Sequence, residues 1–144
     1  MKEVVKYHKC FVCGDQNKIG LKARFYFDGE QATSEIIADE SFAGYQGIYH
    51  GGIISTMLDE VMIKAILARG IFAVTAELTV KFKRPVRTGD KVLFTGREVT
   101  SARDRIFTTE GKAQAEDGTV YAEATGKYIA AGPELREELE RSID

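Results

Sequence analysis

GGIISTMLDEVMIKAILARG, residues 51–70, decides the fold. Apolar residues fall at positions 53, 54, 57, 58, 61, 62, 65, 66 and 68, the i, i+3, i+4, i+7 spacing of a helix face. Ile63 and Leu67 carry the apolar character round to the other side. A helix apolar nearly all round is a buried one. Gly70 is a suitable stop. In a chain of 144 residues such a helix needs a sheet wrapped around it, and something further to cover what the sheet leaves bare.

Outward from the helix the pattern is that of strands. From Phe72 the period becomes two: Val74, Ala76, Leu78, Val80 and Phe82 share one face, and Thr75, Glu77, Thr79, Lys81 and Lys83 the other. Pro85 ends that strand. Lys91–Val99 follows the turn Thr88-Gly89-Asp90, and Arg105–Glu116 and Thr119–Ala130 form a hairpin about Asp117-Gly118. Upstream, Leu21–Phe27 and Gln31–Ile37 read as two strands joined at Asp28-Gly29. Residues 1–20 are an irregular lead-in, and 133–143 a short terminal helix with Pro133 in its first turn. Hairpin links imply an antiparallel sheet, so the expectation is one α+β domain over 1–144. One helix cannot cover both faces of a sheet. The bare face and edges predict self-association about a two-fold axis.

Composition narrows the classes. Hydrophobic residues are 44% and charged residues 29%, which is globular, and the net charge of -2 gives no reason to expect nucleic acid. There is no secretory h-region and no apolar run long enough to span a membrane. Two cysteines are a poor disulfide framework, so a cytoplasmic setting is expected.

Candidate chemistry concentrates in Tyr49-His50-Gly51-Gly52 and the turns that follow. Gly51-Gly52 opens the helix, where free N–H groups point outward and glycines allow close approach. That arrangement suits an oxyanion hole, and suits a plain tight turn equally. Asp59 projects beside Ser55, Met62, Ile63 and Ile66, a mixed surface that reads as an interface or pocket wall. A carboxylate there is placed to act as a base. Glu60 projects towards Thr56, Lys64 and Leu67 and reads as the more ordinary acid. His50 alone reads as a helix cap.

His50-Gly51-Gly52 with an acid nine positions after the histidine resembles the hot-dog thioesterase superfamily, in its phenylacetic-acid-degradation and human thioesterase-superfamily-member branch. Cys10-Phe11-Val12-Cys13-Gly14 with Asn17, Gly20 and Leu21, Thr75–Val80, Phe82-Lys83-Arg84-Pro85, and Asp117-Gly118 with Ala122-Glu123-Ala124 extend the resemblance over roughly residues 10–130. The resemblance implies a hot-dog fold: one long central helix wrapped by a curved antiparallel β-sheet. It implies a hydrolase acting on acyl-CoA, working as a homodimer or dimer of dimers, with coenzyme A as the leaving group and no metal or redox cofactor. The Gly51 N–H, with Gly52 beside it, is expected to meet the thioester oxygen. Asp59 of the facing protomer is expected to activate water or attack directly. Thr75 stands where relatives hold the water, and His50 where they orient the loop. Relatives often carry Asn or Gln six or seven positions before the histidine; here these are Gly44 and Ala43, and Gln46, four before it, is either a substitute or only a turn residue.

Two features remain. Cys10-x-x-Cys13, with His8 and Asp15 nearby, is half of a zinc site but short of ligands, and it lacks the βαβ context of a redox motif, so it reads rather as a compact turn packing small sulfur side chains, with no metal expected. Lys81, Lys83, Arg84, Arg87, Arg97, Arg103 and Arg105 supply cations for the phosphates of coenzyme A, with Arg84 and Arg103 the chosen pair, or else form a solvated strand face. A non-catalytic acyl-CoA-binding module is the alternative function. Such modules are usually fused to a regulatory segment, for which the lead-in and tail leave no room. A dehydratase, which relies on a histidine base, fits His50 and Asp59 less well.

Overall fold

The computed structural model describes residues 1–143. In chain order the elements are β1 (Lys2–Glu3), β2 (Tyr26–Phe27), β3 (Gln31–Ile37), β4 (Ala43–Tyr45) and β5 (Ile48–Tyr49). Then come α1 (Gly51–Leu67), β6 (Ala73–Phe82), β7 (Lys91–Ala102), β8 (Ile106–Gln114), β9 (Val120–Ala130) and α2 (Pro133–Arg141). Seven strands form one antiparallel sheet in the order β1-β2-β3-β7-β8-β9-β6, and β4 and β5 pair as a small ribbon leading into α1. This is the α+β hot-dog arrangement that the sequence anticipates.

α1 lies in a furrow across the sheet. Ala32, Gly96, Gly111 and Ala124 are register partners on β3, β7, β8 and β9, a transverse row of small residues. A Cβ on Gly96 would stand 2.7 Å from the Val61 carbonyl oxygen, so the helix backbone rests almost directly on the strand. Met57, Leu58, Val61, Met62 and Ile66 are buried against Phe94, Phe107 and Tyr128. Burying each such side chain stabilises the fold by about 1.5–3 kcal/mol.

Two local expectations are corrected. Leu21–Phe27 is a strand only at Tyr26–Phe27. Lys22 has φ 52, and the backbone before β2 bonds to the lead-in instead, with Leu21 N–H to Phe11 O and Ala23 N–H to Val12 O. In β6 a bulge falls between Thr75 and Glu77. It leaves Ala76 without a partner and turns Thr75 to the helix side, the face of Leu78 and Val80, although strict alternation places it opposite. β6 is an edge of the sheet and mostly exposed, and Lys64 in the middle of α1 is fully buried.

Candidate active site

α1 begins at His50. Its Nδ1 accepts from the Gly52 N–H at 2.8 Å, and its carbonyl accepts from Ile53 and Ile54. His50 is therefore the helix cap, and its ring is held in place by that bond. The Gly51 N–H meets no acceptor among the described residues and is left directed out of the helix start. A Cβ at Gly51 would meet only the Phe82 ring at 3.5 Å, and one at Gly44 would lie 3.3 Å from the His50 ring. Gly44 thus packs on the ring that caps the helix and brings no amide to it. Gln46 is exposed in the β4–β5 turn.

Two turns along, Asp59 is half-buried and held by two hydroxyls. Thr75 Oγ1 donates at 3.0 and 3.3 Å to its two oxygens, and Tyr128 Oη donates at 2.9 Å to Oδ1. Thr75 and Tyr128 are register partners on β6 and β9, so the sheet presents both to one carboxylate. Burial, and then the charge of Asp59, push the Tyr128 phenol far up, so it stays a donor. Tyr128 was not among the candidates. A Cβ at Gly126 would lie 2.8 Å from its ring, so Gly126 clears the space it occupies. The signal was present on one face of β9: Ala122, Ala124 and Gly126, then one large residue.

Gly51 and Asp59 are eight residues apart on one helix, or about 12 Å along its axis. One chain does not bring them together. Nor does it join Arg84 and Arg103, which are exposed beyond opposite ends of β6. Arg84 follows Phe82, and Arg103 lies in the turn beyond Ala102, whose row continues through Ile106 and Ile129 to Val74.

Glu60 is not the ordinary acid. Its side chain is 14% exposed, and it faces the lead-in. Burial, with the negative charge of Cys10 adding, pushes it up to about 7.

The thioesterase superfamily model matches residues 46–122, over half of the chain. The chain belongs to the thioesterase superfamily. It is 32% identical over 91 residues to acyl-coenzyme A thioesterase THEM4 of Bos taurus, a match covering 63% of this chain and 37% of that protein. The chain spans half or less of the THEM4 relatives of Bos taurus and Mus musculus. Among solved structures, the thioesterase superfamily protein RHA08564 superposes with TM-score 0.78 at 23% identity, over 85% of this chain and 60% of that one. A hypothetical thioesterase protein of Streptococcus pneumoniae TIGR4, solved with coenzyme A, gives TM-score 0.70 at 18% identity, over 74% and 83%. No helix among the described residues is long and apolar enough to cross a membrane.

Proposed function

We propose that the protein hydrolyses an acyl-CoA thioester to the free acid and coenzyme A, in sites built between two copies of the chain. The observation that carries this is the carboxylate of Asp59 held by Thr75 and Tyr128, on the helix whose start leaves the Gly51 N–H free. Pairing β6 with a second β6, antiparallel about a two-fold axis, extends the sheet and reverses one chain against the other. The Phe82 end of each chain, with Gly51, Gly52, Gln46 and Arg84, then meets the Ala73 end of its partner, with Asp59, Thr75 and Arg103. The outer-face row Val74, Ile129 and Ile106 is apolar and exposed, which suits a further pairing into a dimer of dimers.

In this reading the thioester oxygen accepts from the Gly51 N–H, and charge developing on it is stabilised by the helix start. Asp59 of the second protomer takes a proton from water as that water attacks the carbonyl carbon, or attacks the carbon itself. The C–S bond breaks and the thiolate leaves. Thr75 holds the carboxylate and the water, and His50 fixes the loop. Arg84 and Arg103 serve the phosphates of coenzyme A. No metal or redox cofactor takes part. The coenzyme A bound by the pneumococcal neighbour supports the substrate class. That neighbour has also been solved with an aspartate, or a threonine sixteen positions later, changed to alanine. Asp59 and Thr75 have the same separation.

The test is thiol release from acyl-CoAs of graded length, with phenylacetyl- and benzoyl-CoA included. Release that depends on Asp59 is expected. The missing amide at positions 43 and 44 is the observation that favours a non-catalytic acyl-CoA-binding module instead. Thermal stabilisation by CoA esters without any release would establish that module. The split site has its own test. Gly51→Pro removes the N–H at a helix position that tolerates proline. Mixing Gly51→Pro and Asp59→Asn chains, each inactive, is expected to restore one site per mixed dimer. No recovery on mixing would place both groups in one chain.

A further inference from the structure

On the other side of α1, the turn Tyr7–Gly14 brings three ligand atoms together. The Cys10 and Cys13 sulfurs and a Glu60 oxygen all lie within 4.8 Å of one another. The turn is built tightly: a Cβ on Gly14 would stand 2.5 Å from Cys10 N and from His8 O. The Val12 N–H donates to Cys10 Sγ at 3.3 Å, a bond that favours a thiolate. A cavity of about 390 Å³ opens onto Cys10 and Glu60, and His8 lines the same cavity.

Lys64 completes the cluster. Its ammonium is buried, donates to Val5 O at 2.6 Å and to Cys13 Sγ at 3.4 Å, and stands 3.6 Å from Glu60. The rings of Tyr7 and Phe25 lie 5.3 and 5.8 Å from it. Cys10 Sγ in turn donates to Glu60 Oε2 at 3.8 Å, so three acidic groups face one cation in a desolvated place. Two thiolates, one carboxylate and one ammonium would be neutral with a divalent cation among them.

We propose that Cys10, Cys13 and Glu60 form a site for a divalent transition metal of the zinc class, with Lys64 donating to the Cys13 ligand and the fourth position facing the His8 cavity. Sulfur and carboxylate donors at this spacing suit tetrahedral zinc, and three protein ligands leave one position for water or His8. An outer hydrogen-bond donor such as Lys64 tunes a thiolate ligand as well as orienting it. The site ties the irregular lead-in to the helix that carries Asp59. It stands apart from the thioesterase reading, because Asp59, Thr75 and Tyr128 contribute nothing to it.

Cobalt(II) titration of reduced, chelator-treated protein under anaerobic conditions tests this. The expected result is thiolate-to-cobalt charge transfer in the near ultraviolet and tetrahedral visible bands, saturating at one equivalent and displaced by zinc. Cys10→Ser and Cys13→Ser should each weaken the charge transfer, and Glu60→Gln should keep it while lowering affinity about 10–100-fold. Absence of charge transfer in folded wild-type protein with both thiols reduced would overturn the site. Cobalt affinity unchanged in Glu60→Gln would remove the carboxylate from it.

Discussion

Asp59 and Glu60 are neighbours in the chain and opposites in surroundings. Asp59 accepts from two hydroxyls of the sheet, at a half-open face beside the edge strand β6. Glu60 points to the lead-in, beside two sulfurs and a buried ammonium. One step along a helix turns a side chain by about 100°, enough to place two carboxylates in different media. The difference teaches that a helix laid in a sheet furrow has two working flanks. On one flank hydroxyls hold the carboxylate; on the other the carboxyl sits among sulfurs and a buried ammonium.

Removing each partner separates the flanks. Asp59→Asn should lower turnover by about 10³-fold or more and leave the melting temperature nearly unchanged, since an amide still accepts from Thr75 and Tyr128. Turnover within a few-fold of wild type would remove Asp59 from the chemistry. Lys64→Met acts on the other flank. It leaves buried acidic groups without their cation and should cost about 3–5 kcal/mol in urea unfolding, with turnover per folded molecule retained.

The pH dependence of Glu60 sharpens the contrast. Its carboxyl is raised from 4.5 to about 7 in the folded protein, so the native state holds a proton that the unfolded chain releases. The stability it contributes therefore falls as pH rises from about 4.5 to 7. The groups that face it are Cys10, Cys13, Lys64, Tyr7 and, along the helix, Asp59. Glu60→Gln should lack this fall. The stability of metal-free variant relative to wild type should improve by up to about 3 kcal/mol across that window. Parallel pH curves for the two proteins would show that Glu60 is not titrating there. The smallest effect belongs to Thr75→Val, which removes one hydrogen bond to a charged group. It should lower kcat about tenfold with little change in KM.

What was legible in the sequence is what is periodic and local. The buried helix, the hairpins at Asp28-Gly29 and Asp117-Gly118, and the projection of Asp59 beside Ser55 and Met62 all follow from spacing within a few residues. The bulge at Ala76 did not, because alternation runs through it unbroken and only pairing with Tyr128 and Lys127 reveals the extra residue. Tyr128 is 69 residues from the carboxylate it serves. Lys64 is 59 residues from Val5 and 51 from Cys13, so its burial is set by partners far along the chain.

The separation of Gly51 and Asp59, eight positions along one helix, has a consequence for dosage. If the proposed site does draw on the start of one helix and the middle of its partner's, it exists only in assembled pairs. Once the protein is dilute relative to its dissociation constant, the number of pairs follows the square of its concentration. Halving the amount of protein then removes about three quarters of the activity, so a cell expressing too little of it loses function out of proportion to the shortfall.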